Sequence, residues 1–129
     1  MDVLYIVMPA YNEEDNIERA VRQWNHVGKG NARLVMADSG STDSTHEKLL
    51  KLKEEYPGLE ILSDTGKQHG PKLMALYDYS IRHGADYIFQ TDSDGQTDPA
   101  EFERFWRMRK TVGRVGSTVL SPGIFPVLY

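Results

Sequence analysis

A chain of 129 residues with 40% hydrophobic and 26% charged residues has material for one core, and a single folded unit is the expectation at this length. Fifteen Lys+Arg against nineteen Asp+Glu leave a net charge of -4, which argues against a general nucleic-acid binder. The absence of cysteine excludes disulfide scaffolds and thiolate zinc sites and favours a reducing, cytoplasmic setting.

The run Val3 to Met8, closed by Pro9, reads as a strand buried on both faces. It is too short, and its start too acidic, for a signal peptide or membrane span. Ile17, Ala20, Val21 and Trp24 then follow a helical period, with Asn12 as the expected N-cap and Glu13, Glu14 and Asp15 in an acidic first turn; the helix ends near Gly28. Leu34 to Ala37 reads as a second strand. Ser44 and Glu47 have capping-box spacing before a helix that carries Leu49, Leu52 and Tyr56 and stops at Pro57-Gly58.

Leu59 to Leu62 is a weak third strand, followed by a polar loop from Ser63 to Pro71. A helix from about Lys72 to His83 places Met74, Tyr77 and Ile81 on one face and stops at Gly84. Tyr87 to Gln90 is the fourth strand. Asp98, Pro99 and Glu101 supply an N-cap, an N1 proline and an N3 acid for a helix whose core face is Phe102, Phe105 and Trp106. Arg104, Arg107, Arg109 and Lys110 read as its wet face, with contact to anionic lipid or phosphate as the alternative. Residues 112–129 are apolar with scattered Gly and Pro and have no sustained period.

Alternating strands and helices predict a mostly parallel sheet in a three-layer α/β/α fold, which binds ligands outside the carboxyl ends of its strands. The polar stretches Pro9 to Glu14, Asp38 to Asp43 and Asp92 to Asp98 follow the first, second and fourth strands, so three loops are expected to converge. Asp92 and Asp94 can share a hard cation such as Mg²⁺ or Mn²⁺, with Gln96 as a neutral oxygen nearby; the plain alternative is a turn. An EF-hand loop is disfavoured, because Thr97 stands where that loop needs glycine and a strand precedes it. Asp38 is a hydrogen-bond acceptor for a base or ribose, or part of a capping-rich connection. Tyr11 is a core aromatic or a stacking plate for a nucleobase. Lys72 suits a phosphate, or is merely solvated. His26, His46, His69 and His83 show no ligand spacing.

"VMPAYNEEDNI", "ADSGSTDST", "GPKLMAL" and "TDSDGQTDP", in this order, resemble the first half of the glycosyltransferase family 2 catalytic domain, over about Val3 to Trp106. The resemblance implies a GT-A fold, Rossmann-like, that binds a UDP- or GDP-linked sugar with Mg²⁺ or Mn²⁺ and transfers the sugar with inversion. It places Pro9, Tyr11 and Glu13 at the nucleotide and Asp38 at the base, beside Ser39, which stands where the family often has a second aspartate. It places Lys72 near the diphosphate or base, and Asp92 and Ser93 at the donor. Asp92 and Asp94 would hold the metal, assisted by Gln96 as in the dolichol-phosphate-mannose-synthase-like branch. The family continues with an acceptor site and a carboxylate base that Glu101 and Glu103 do not match. The expected organisation is therefore a truncated domain: a nucleotide-sugar-binding half at 1–111, a separate tail at 112–129, and no catalytic base in this chain. A lipid-phosphate or saccharide acceptor, association with the cytoplasmic membrane face and a homodimer through an open sheet edge complete the expectations. The alternatives are a non-catalytic nucleotide-sugar or metal-binding module working beside a partner chain, and a structural domain that self-associates through its tail.

Overall fold

The computed structural model describes residues 3–28, 32–93 and 98–108, together with a short strand at 127–128. The elements run β1 (Leu4–Ala10), α1 (Ile17–Gly28), β2 (Ala32–Asp38), α2 (Thr45–Glu55), β3 (Glu60–Leu62), α3 (His69–Arg82), β4 (Tyr87–Gln90), α4 (Pro99–Met108) and β5 (Val127–Leu128). They form one sheet in the order β3-β2-β1-β4-β5. Its first four strands are parallel, and β5 pairs antiparallel with β4, Leu128 beside Tyr87 and Val127 beside Ile88. This is the expected α/β architecture with a mostly parallel sheet.

All seven residues of β1 are buried, as befits a central strand covered on both sides. Its even-numbered residues Leu4, Ile6 and Met8 join a core with Ile17, Val21 and Trp24 of α1, Leu49 and Leu52 of α2, and Phe102 of α4. Tyr5 and Val7 face the other way, against Leu76 of α3. The period-two alternation of one strand thus builds both interior layers. Trp24, Phe89 and Phe102 meet with ring centroids 5.0 to 6.1 Å apart, which ties α1 and α4 to β4. Burying each such side chain contributes roughly 1.5–3 kcal/mol.

Four local expectations are corrected. Pro9 does not close β1; the strand continues through Ala10, in register with Asp38, because the missing N–H of proline is tolerated where pairing with β4 has already ended at Val7 and Gln90. Asn12 does not cap α1. It lies in the left-handed region at φ 50, and α1 is entered through a turn in which Asn16 and Ile17 donate to the carbonyl of Glu13. Ser44 sits at the N-cap of α2 without a side-chain capping bond, so the Ser44/Glu47 box is not formed. Instead Asp43 accepts from the Thr45 amide at 2.9 Å, and Glu14 accepts from the Ser44 amide at 3.1 Å. Finally, the buried stripe of α3 is Lys72, Leu76 and Ser80, while Met74 is 71% and Ile81 46% exposed. Two members of that stripe are polar, and an apolar-only pattern rotates the helix to the wrong face.

At α4 the sequence signal holds: the Asp98 carboxylate accepts from the Ala100 amide at 2.9 Å, and Phe102 is buried. Arg104 and Arg107 are exposed, while Arg109 and Lys110 lie outside the described residues.

Candidate functional site

The strand order reverses between β1 and β4, the switch point at which open α/β sheets hold ligands. A cleft of about 320 Å³ opens there, lined by Pro9, Ala10, Tyr11 and Glu13 after β1, Lys67, His69 and Lys72 around the start of α3, and Asp92 and Ser93 after β4. This volume falls at the small end of ligand pockets, roughly 300–1,000 Å³. Pro9, Tyr11, Glu13, Lys72, Asp92 and Ser93 of the expected residues are brought together. Asp94 and Gln96 lie outside the described residues.

Ser93 fastens the end of the β4 segment to β1, its hydroxyl donating to the Pro9 carbonyl at 3.2 Å. Asp92 is thereby held against the end of the neighbouring strand, with a carboxylate that suits a hard cation. Among the described residues no group of three or more His, Cys, Asp or Glu side chains could hold a metal alone.

Lys72 is not a solvated lysine. It is 1% exposed, its ammonium donates to the Ala10 carbonyl at 2.7 Å, and it stands 5.0 Å from the centroid of the Tyr11 ring. Burial pushes this ammonium below the ordinary lysine pKa, against the opposing pull of Asp38 and Tyr11. Tyr11 is not a core aromatic: its side of the cleft leaves it 38% exposed, with the Lys67 ammonium 5.3 Å from the ring centroid.

The loop after β2 takes a different part from the one expected. Asp38 and Ser39 are buried and do not line the cleft. Asp38 accepts from the Ser41 hydroxyl and pairs with His46 Nδ1 at 3.1 Å. The Ser39 hydroxyl donates to the Ser63 carbonyl at 2.7 Å and accepts from the Thr65 amide at 2.9 Å, tying β2 to the loop after β3. Further on, the Asn12 amide donates to Ser41, the Glu13 amide to Thr45 and the Thr42 amide to the Asn12 side chain, at 2.8 to 3.1 Å. The second loop therefore carries the first, and the third wall of the cleft comes from the segment after β3. Lys67, His69 and the Asp38–His46 pair were not foreseen. The Ser63–Pro71 loop is polar enough to have drawn suspicion, but its residues have no motif spacing.

Comparison with known proteins bears on this geometry. Relatives include the polyprenol monophosphomannose synthase of Mycolicibacterium smegmatis, 27% identical over 101 residues that make up 77% of this chain and 38% of that protein. The succinoglycan biosynthesis protein ExoA of Rhizobium meliloti is 33% identical over 91 residues, 70% of this chain and 27% of that protein. This chain spans about a third of the length of these curated relatives. Among solved structures, the mannosyltransferase PcManGT from Pyrobaculum calidifontis, in complex with GDP-Man and Mn²⁺, superposes with a TM-score of 0.55 at 25% identity, covering 70% of this chain and 27% of that one. The neighbours are GT-A glycosyltransferases, the fold expected from the sequence. The family model for glycosyl transferase family 2 matches residues 5–116, and the chain belongs to that family.

Proposed function

We propose that this chain binds a nucleoside-diphosphate sugar, UDP- or GDP-linked, in the cleft between Tyr11 and Asp92, as the donor-binding part of a glycosyltransferase. The observation that carries the reading is the meeting of an exposed aromatic, a carboxylate and lysines at the sheet's switch point. In this reading Tyr11 stacks on the base, Pro9, Glu13 and Ser93 shape the floor, and Lys72 fixes the end of β1. Asp38 and Ser39 stay behind the cleft wall, bonded to Ser41, His46, Ser63 and Thr65, and support it rather than reaching the base. Asp92, with Asp94 and Gln96, would hold Mg²⁺ or Mn²⁺; a bound divalent cation supplies neutralisation of the charge that develops on a departing diphosphate. The PcManGT complex with GDP-Man and Mn²⁺ supports that choice of ligands.

The reading extends to transfer with inversion onto a lipid-phosphate or saccharide acceptor, at the cytoplasmic membrane face. The name of the polyprenol-linked relative favours a lipid phosphate. No described helix is long and apolar enough to cross a membrane, so such association would be peripheral for the described part. Residues 1–111 form the donor-binding half; of residues 112–129, Val127–Leu128 pair with β4 in the same sheet, so this stretch is not a separate tail. A second reading keeps the same cleft but has it bind the donor without turnover, as a module beside a partner chain.

Calorimetric titration with UDP and GDP, with and without Mn²⁺, tests the proposal. Metal-dependent binding is expected, weakened roughly tenfold or more in Asp94→Ala. A chain that binds neither nucleotide under either condition would falsify it. Donor hydrolysis or transfer by the chain alone then favours the enzyme over the module.

A further inference from the structure

We infer that Lys67, rather than Lys72, is the cation that meets the diphosphate of the bound nucleotide; the inference rests on the donor-binding reading above. Both lysines line the cleft, and both ammonium groups stand near the Tyr11 ring, but their surroundings differ. Lys72 is buried and its ammonium is committed to the Ala10 carbonyl. Turning it to a ligand would leave that carbonyl without its donor and uncover an interior polar group. Lys67 is exposed, and among the described residues the Tyr11 ring is the only partner recorded for its ammonium.

An exposed lysine is usually solvated and conformationally free, but Lys67 has a seat. Gly40 adopts φ +79, and a Cβ built there would stand 3.1 Å from Lys67 Cγ and 3.3 Å from Lys67 Cβ. The missing side chain at Gly40 is the groove in which the stem of Lys67 lies. Contact with Gly40 at one end and with Tyr11 at the other limits the rotamer freedom left to lose when an anion arrives. His69 lines the same wall. A lysine ammonium presents a point charge with three donors at neutral pH, which suits a phosphate. Lys67 thus works as a positioning and binding residue for the anionic part of the ligand, above the same aromatic ring that takes the base.

The test compares the full chain with Lys67→Ala and Lys67→Arg by calorimetry in Mn²⁺, using UDP and GDP beside uridine and guanosine. Lys67→Ala is expected to weaken the diphosphates roughly tenfold and to leave the nucleosides unchanged, with Lys67→Arg recovering most of the loss. Unchanged diphosphate binding in Lys67→Ala overturns the assignment while leaving the donor-binding reading intact. Equal weakening of nucleosides and diphosphates also overturns it, since Lys67 would then act through Tyr11 alone. Failure of the unaltered chain to bind any nucleotide removes both.

Discussion

Two polar regions lie side by side at the carboxyl edge of the sheet. Between the loops after β1 and β2, Asn12, Glu13, Glu14, Ser41, Thr42, Asp43, Ser44 and Thr45 hydrogen-bond mainly to one another. Around the cleft, Tyr11, Lys67 and His69 face open space, whereas Lys72 and Ser93 are drawn inward. Density of polar residues therefore does not locate a ligand. A group whose donors and acceptors are met within the chain builds the scaffold, and a group whose charge faces a cavity remains available for chemistry.

If that division is right, substitutions should separate into those that cost folding and those that cost binding. The largest contrast is between the two lysines. Lys72→Ala removes the donor to the Ala10 carbonyl and should lower stability in urea unfolding by about 2–3 kcal/mol. Lys67→Ala should stay within about 0.5 kcal/mol of the parent. Similar losses in the two variants would break the comparison.

A smaller effect is expected inside the loop network. The buried Thr45 hydroxyl accepts from the Glu13 amide at 2.8 Å and donates to Asp43. Thr45→Val keeps the shape and deletes both bonds, so a stability loss of about 1–2 kcal/mol should appear. Nucleotide affinity should change by less than about twofold. A variant that unfolds no more easily yet loses nucleotide would assign Thr45 to the site instead.

The smallest effect is a pH dependence. Desolvation raises the Asp43 pKa, but hydrogen bonds from the Thr45 hydroxyl and from the Thr45, Glu14 and Asp43 amides outweigh it and hold it below the ordinary 3.8. A folded value below the unfolded one gives stability that is present above the unfolded value and lost as pH falls through the folded one. Asp43→Asn should therefore lower the neutral plateau of a stability-versus-pH curve and flatten its acid limb below about pH 4, where variant and parent converge. An unaltered acid limb would show that the loop network does not report on Asp43.

Much of the fold was legible because three strands are continuous apolar runs and α1 carries its buried stripe without interruption, at Ile17, Ala20, Val21 and Trp24. The α4 start was legible because Asp98, Pro99 and Glu101 act locally. What was hidden depends on distant partners. Lys72 and Ser80 belong to a buried face because Ala10 and Leu76 supply acceptors for them, which no periodicity reveals. Asn12 looks like a cap and instead bonds residues about thirty positions away. In the site, Tyr11 and Asp92 were legible from their motifs, whereas Lys67 owes its place to Gly40 and Tyr11, which only the fold brings to it.

The sheet's β3 margin sets a limit on how copies of this chain can associate. At three residues, Glu60 to Leu62, it is a ledge roughly 10 Å long. Lys53 lies 3.8 Å from Glu60 and brings charge to it. A ledge so short and charged is a poor template for adding another sheet, in a dimer or in a growing fibril. Assembly on that side would have to proceed through helix surfaces, where side-chain shape rather than backbone pairing chooses the partner.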